Sequence, residues 1–131
     1  MPAPGCFVTG TDTEVGKTHV AVALVRALAA QGLRVAVMKP IAAGAIETAD
    51  GLRNEDAIAL LSASNVPASY AQVNPYCFAP PVSPHIAAEE AGISIDLAVI
   101  VRASRSLQAA SDYLVVEGAG GWLAPISSRH A

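Results

Sequence analysis

Apolar residues along this chain keep two rhythms. In the first they form short, nearly unbroken runs: Cys6-Phe7-Val8-Thr9, Arg34-Val35-Ala36-Val37-Met38-Lys39 and Asp112-Tyr113-Leu114-Val115-Val116-Glu117. Runs this short, with little alternation, read as strands buried on both faces, the habit of a parallel sheet. In the second rhythm apolar residues return every three or four positions, which predicts helices. The first helix is expected from about Lys17 to Gln31, with Val20, Leu24, Ala27 and Leu28 on one face and Gly32 in the left-handed position past its end. Pro40 stops the second strand. Strand, helix and strand make a βαβ unit, so the two strands are expected to run parallel with a right-handed crossover.

The middle of the chain is less regular. Ile41 to Arg53 reads as a loop of small residues, and Asn54 as the cap of a short helix to about Ser62, closed off by Pro67. Tyr70 to Pro81 holds three prolines and little periodicity, so it is expected to be irregular, with room for a short edge strand. Ser83-Pro84 reads as an N-cap followed by proline at the first helical position, opening a helix to near Gly92. Asp96 caps a further helix to about Ala110, with Leu97, Ile100, Val101 and Leu107 inward and Arg102, Arg105 and Ser106 outward. There is no repeat, low-complexity tract or linker, and residues 1–131 read as a single domain.

Between the first strand and the first helix stands Gly10-Thr11-Asp12-Thr13-Glu14-Val15-Gly16-Lys17-Thr18. Strand, glycine loop ending in Gly-Lys-Thr, then helix is the layout of a phosphate-binding loop. Unpaired N–H groups of the loop and first helical turn aim at one point, where the helix dipole favours an anion. Gly16 allows close backbone approach, Lys17 can neutralise β- and γ-phosphates, and the Thr18 hydroxyl can bind Mg²⁺. Gly10 and Gly16 are separated by five residues, one more than in the common motif. The bland alternative is a plain strand-to-helix turn with a lysine in its first helical turn. The expected architecture is therefore α/β and P-loop NTPase-like, a mostly parallel sheet flanked by helices.

Ligands of open parallel sheets bind beyond the carboxyl ends of the strands. The first strand delivers the phosphate loop there, the second delivers Lys39, and the third delivers Glu117 with Gly118 and Gly120 of a second glycine loop, Gly118-Ala119-Gly120-Gly121. An apolar strand ending in an acid places a carboxylate near Mg²⁺, and a second cation can stabilise a transferring phosphoryl group. Taken alone, Glu117 could instead begin a surface turn and Lys39 could be a solvated strand end. Asp56, in the first turn of its helix, reads first as a complement to the helix dipole. His19, His85 and His130 read first as surface, packed or tail residues.

Composition narrows the partners. Hydrophobic residues make up 53% and charged residues 15% of the chain, so it is globular. A net charge of −3 without a basic stripe argues against nucleic acid. Apolar tracts are broken by Arg26 or Arg102 short of membrane-spanning length, which argues against a membrane. Met1 to Gly5 lacks a positive n-region, so no signal peptide is expected. Cys6 and Cys77 have no metal-ligand spacing, Cys6 is expected to pack as a small hydrophobe, and a cytoplasmic location is the natural reading.

With Lys39-Pro40, Gly51-Leu52-Arg53-Asn54 and Asp56, Val73-Asn74-Pro75-Tyr76, Ser83-Pro84-His85-Ile86 and Val116-Glu117-Gly118-Ala119-Gly120-Gly121-Trp122 following the phosphate loop in order, the chain resembles the dethiobiotin synthetase family along essentially its whole length. The resemblance implies that Glu14, Val15, Gly16, Lys17, Thr18 and His19 bind phosphate. It implies Thr18, Asp56 and Glu117 as Mg²⁺ ligands, Lys39 as the active-site lysine, and Asp56 with Glu117, Gly118, Ala119 and Gly120 as part of the nucleotide site. It also places Ser83-Pro84-His85 near a diamine substrate. The implied reaction takes 7,8-diaminononanoate, CO₂ and MgATP. One amine forms a carbamate, the γ-phosphoryl group activates it as a mixed anhydride, and the second amine attacks, closing the ureido ring and releasing phosphate. The implied partners are these small molecules and, in the complete enzyme, a second copy in a homodimer.

Two departures stand out. Ala43 occupies a substrate-contact position where the family pattern calls for serine, removing a hydroxyl worth roughly 0.5–1.5 kcal/mol. The family also continues well past Ala131, so the chain reads as the N-terminal part of such a domain and its adenine-recognition residues lie beyond it. The apolar strand Tyr113 to Val116 is accordingly expected to want neighbours and cover, with one edge left open. Three other readings stay open: an ATP domain of a cobyrinate or cobyric acid synthase-like amidotransferase, an inactive fragment, and a ParA/MinD-like switch ATPase. The last needs a second lysine where Asp12 stands.

Overall fold

A computed structural model describes residues 4–8, 14–82 and 84–118, without the side chains of Glu14, Val15, Pro84 and His85. The elements in chain order are β1 (Gly5–Val8), α1 (Glu14–Ala30), β2 (Val35–Met38), β3 (Ile41–Ala42), β4 (Ile46–Thr48), β5 (Gly51–Arg53), α2 (Glu55–Ala63), α3 (Tyr70–Val73), β6 (Tyr76–Cys77), α4 (Pro84–Ala91), α5 (Leu97–Ala109) and β7 (Tyr113–Glu117).

The three apolar runs form one parallel sheet in the order β1-β7-β2. β1 and β2 are parallel, as the βαβ reading requires, but they do not touch. β7 inserts between them, pairing Cys6 with Val115 on one side and Val37 with Val115 on the other. The expectation of an open edge on the last strand is thereby corrected, because β7 is central and both its edges are hydrogen-bonded. The outer edge of β2 is closed by other means. Asn65 Oδ1 accepts from the Val35 amide at 2.7 Å, Ser64 Oγ donates to the Val35 carbonyl at 2.7 Å, and the Lys39 amide donates to the Val73 carbonyl at 2.7 Å. Side chains and a turn do there what a further strand would do, which blunts the edge.

The two-residue period of the strands divides the core into two layers. Val35, Val37 and Val115 pack with Ala21 and Val25 of α1, Leu60 of α2 and Val73 of α3. Ala36, Met38, Leu114 and Val116 pack on the opposite face with Ile100 and Leu107 of α5, Ala87 and Ala88 of α4, and Phe78. β1 departs from the buried-strand expectation: Gly5 and Phe7 are exposed, and Cys6 and Val8 are half-buried against the α1 side. Gly5 itself answers a close approach, since a Cβ there would come within 2.5 Å of the Leu114 carbonyl oxygen.

Helix α1 begins three residues earlier than expected, so Gly16, Lys17 and Thr18 fall in its opening turns. Of its expected inward face, Leu24 and Leu28 do pack against the core, while Val20 and Ala27 are corrected. Ala21 and Val25 are fully buried while Val20 is 59% exposed and Ala27 is exposed. Apolar residues surround nearly the whole helix between His19 and Gln31, so periodicity alone does not choose a face. The choice is made by α2 and the sheet. Gly32 takes the left-handed conformation, φ 89°, as expected for the residue past a helix end. In α5, Ile100 and Leu107 are buried, Leu97 and Val101 are half-buried, and Arg102, Arg105 and Ser106 are exposed, matching the reading.

The stretch Ile41 to Arg53 is more ordered than a loop. β3 pairs in parallel with β6, a short strand of the kind allowed for within Tyr70 to Pro81, and β4 and β5 form an antiparallel hairpin. The segment expected to be irregular also holds α3, opened by a capping box in which the Ser69 side chain accepts from the Gln72 amide and Gln72 reaches back to the Ser69 amide. Ser69-Tyr70-Ala71-Gln72 carries that signature in its sequence. Among the described residues no helix is long and apolar enough to cross a membrane.

Candidate active site

Six of the expected site residues, Lys17, Thr18, Lys39, Asp56, Glu117 and Gly118, gather at the carboxyl end of the three-stranded sheet. Register explains two of them. Met38 pairs with Val116, so Lys39 and Glu117, each one position further, stand side by side at the ends of neighbouring strands. The alternation that sends Val37 and Val115 toward α1 and α2 sends Lys39 and Glu117 to that same face. Both are fully buried, at 0% exposure.

Asp56 enters from the first turn of α2, where Asn54 fixes the helix start by accepting the Ala57 amide at 3.0 Å. Lys39 Nζ lies 3.4 Å from Glu117 Oε2 and 3.8 Å from Asp56 Oδ2, so one buried ammonium faces two carboxylates. Thr18 Oγ1 donates to Glu117 Oε1 at 2.6 Å, and Lys17 Nζ donates to the Gly118 carbonyl at 3.1 Å, with both residues buried. Burial pushes the Glu117 carboxyl above its ordinary value, Lys39 and the Thr18 hydrogen bond pull it back, and Asp56 pushes it up again. Lys17 forms no ion pair among the described residues.

The arrangement suits a hard cation and phosphate oxygens. Thr18, Asp56 and Glu117 offer a hydroxyl and two carboxylates, the oxygen donors that Mg²⁺ prefers, and Mg²⁺ usually takes only one or two carboxylates beside substrate phosphates. No group of three or more His, Cys, Asp or Glu side chains able to hold a metal occurs among the described residues, so Thr18 and phosphate oxygens would have to complete such a site. The donor set fits.

Other expected residues lie apart or outside. His19 is exposed on α1. Ala43 is half-buried after β3, and its carbonyl accepts from Asn54 Nδ2 at 3.4 Å. Glu14 and Val15 open α1 and His85 lies in α4, but their side chains are outside the described residues, as are Gly10 to Thr13, Ser83, Ala119, Gly120, Gly121, Trp122 and His130. The linear reading gave no role to Asn74 and Tyr70. Asn74, 3% exposed, donates through Nδ2 to the Lys39 carbonyl at 2.7 Å, and Tyr70 donates to Asn74 Oδ1 at 2.7 Å. A polar residue between Val73 and Pro75 was the available signal.

The sequence profile of a family described as an AAA domain matches residues 5–131. The chain belongs to this AAA domain family. Membership agrees with a mostly parallel sheet flanked by helices and a glycine loop before the first helix. Among individual relatives, the ATP-dependent dethiobiotin synthetase BioD 1 of Salmonella typhi is 51% identical over 93% of this chain and 54% of its own length. Proteins of Aeromonas hydrophila and Pseudomonas aeruginosa, both named ATP-dependent dethiobiotin synthetase BioD, are 52% and 48% identical over 95% and 96% of this chain, and 55% and 56% of their own. The resemblance carried by the motifs is thus found again in these relatives. The chain spans about half the length of the curated relatives it matches.

Proposed function

We propose that this chain carries the phosphoryl-transfer half of an ATP-dependent dethiobiotin synthetase, closing a ureido ring on 7,8-diaminononanoate with CO₂. The observation that carries the reading is the convergence of Lys17, Thr18, Lys39, Asp56 and Glu117 at one end of the sheet. Residues 1–131 belong to one nucleotide-binding domain, as its N-terminal part, in this proposal, and the complete enzyme works as a cytoplasmic homodimer.

Each residue has a chemical task. Lys17 and the first turn of α1 hold the β- and γ-phosphates. Thr18, Asp56 and Glu117 hold Mg²⁺, which when bound supplies charge neutralisation on the phosphate oxygens. Lys39 stands by to stabilise charge that builds on the transferring phosphoryl group. Glu117 keeps Lys39 oriented from a position that water does not reach. Tethering of both amines on one carbon chain provides proximity for the last step. His19 and the Glu117 to Gly120 segment border the nucleotide, and Ala43 faces the diamine.

The test is a full-length protein carrying this chain, supplied with diamine, bicarbonate and MgATP. Dethiobiotin and phosphate formed in equal amounts support the reading. ATP hydrolysis that ignores the diamine, with no ring-closed product, refutes it.

A further inference from the structure

Lys39 and Asp56 sit on elements that the chain connects only through the β3, β4 and β5 segment, yet their charged atoms lie 3.8 Å apart. A continuous line of hydrogen bonds joins the two elements behind the site. The Asn54 amide donates to the Tyr70 hydroxyl at 2.7 Å, that hydroxyl donates to Asn74 Oδ1 at 2.7 Å, and Asn74 Nδ2 donates to the Lys39 carbonyl at 2.7 Å and the Tyr76 carbonyl at 2.9 Å.

The polarity of this line admits one solution. The Lys39 and Tyr76 carbonyls can only accept, so the amide NH₂ of Asn74 must face them. Asn74 Oδ1 then faces Tyr70, whose single proton is committed to it, leaving a lone pair for the Asn54 amide. Burial pushes the Tyr70 hydroxyl up to about 12, so it keeps that proton throughout the neutral range. The ring itself is held by the Arg53 guanidinium, 4.0 Å from its centroid. At one end of the line Asn54 caps α2, two residues before Asp56, and also touches the Ala43 carbonyl. At the other end is the backbone of Lys39.

We propose that Tyr70 and Asn74 are positioning residues, a relay that fixes the α2 carboxylate and the β2 lysine relative to each other for metal–nucleotide binding. The proposal rests on the function assigned above, and it explains why a buried Asn74 and a half-buried Tyr70 spend their polar groups on this line where an apolar contact would serve packing alone. Groups bonded directly to a metal ligand typically cost 10- to 100-fold in metal affinity when removed, and this line acts one step further out through Asn54 and the Lys39 backbone, so the low end of that range is expected.

The experiment measures Mn²⁺ binding in the presence of ATP, by electron paramagnetic resonance, for the full chain and for Tyr70→Phe, Asn74→Ala and the double variant. Tyr70→Phe keeps the ring under Arg53 and serves as the mild variant should Asn74→Ala fail to fold. Each single change is expected to weaken Mn²⁺·ATP binding about 10-fold per folded molecule. The double variant is expected to bind within about twofold of Asn74→Ala, because both changes break one line. Affinities within twofold of the parent, or losses that add, overturn the proposal. A parent that binds no Mn²⁺·ATP refutes the functional reading instead. The relay is then read from backbone amide resonances of Lys39 and Asp56, neither of which the hydroxyl touches: Tyr70→Phe must shift both, and unshifted resonances overturn the relay.

Discussion

Replacing Lys39 by methionine keeps an unbranched chain of similar length and removes only the ammonium, so it isolates the charge. In the parent that ammonium is fully buried, 3.4 Å from a carboxylate that is also fully buried. Removing one partner of such a pair costs about 3–5 kcal/mol, because the other charge stays buried alone. A second route to the magnitude agrees. Without Lys39, Glu117 escapes by taking up a proton on folding, against an ordinary value of 4.5. Holding it neutral then costs at most about 4 kcal/mol at pH 7.5 and under about 1 kcal/mol at pH 5, at 1.36 kcal/mol per pH unit. Asp56 is the farther and more solvated partner and adds little. The sign follows from the direction of the shift: Glu117 is already raised in the fold, so its contribution is whole below its ordinary value and is lost as pH rises through the folded value. Removing Lys39 raises it further, so the deficit should be large at pH 7.5 and small at pH 5. The assay is urea unfolding of parent and Lys39→Met from pH 5 to 8. The double variant Lys39→Met with Glu117→Gln should recover most of the loss, since neither charge of the buried pair remains. A single variant as stable as the parent at pH 7.5, or a deficit that does not change with pH, would refute the reasoning.

Four further outcomes are expected. Lys17→Ala should weaken MgATP binding and abolish ring closure, and normal ATP affinity in calorimetry would remove Lys17 from the phosphate site. On the role proposed for it, Lys39→Ala should lower kcat more than it raises KM for ATP; a change in KM alone would make it a binding residue. Ala43→Ser should tighten diamine binding by less than about tenfold, and titration showing no change would mean that the missing hydroxyl is already replaced. Burial pushes the Cys77 thiol above 9.0, with its sulfur 3.8 Å from the Tyr70 hydroxyl, so iodoacetamide should react with it slowly at neutral pH and faster only in the alkaline range. Rapid labelling of Cys77 at pH 7 would contradict that burial.

The apolar runs at Cys6, Val35 and Leu114, the Gly-Lys-Thr before α1, and the caps Asn54 and Asp96 determined most of the fold from sequence. Each is a local rule: a strand too short to be a helix, a glycine loop before a helix, a side chain that satisfies an orphan amide. Lys39 and Glu117 were legible as strand ends for the same reason. What only the tertiary structure decided is which elements meet. The order β1-β7-β2 places the last strand between two that are adjacent in sequence, and it is this insertion that sets Glu117 beside Lys39. The inward face of α1 was likewise settled by its neighbours, because a helix apolar nearly all round offers the sequence no reason to prefer Val20 over Ala21. Asp56 was ambiguous in the sequence, since an acid in a first turn satisfies the helix dipole whether or not a lysine stands 3.8 Å away. Asn74 showed only as a polar residue in the motif Val73-Asn74-Pro75-Tyr76 and Tyr70 not at all, because a hydrogen bond across 35 residues has no linear signature. Local propensity is written in neighbouring residues, whereas the geometry of this site comes from the packing of distant ones.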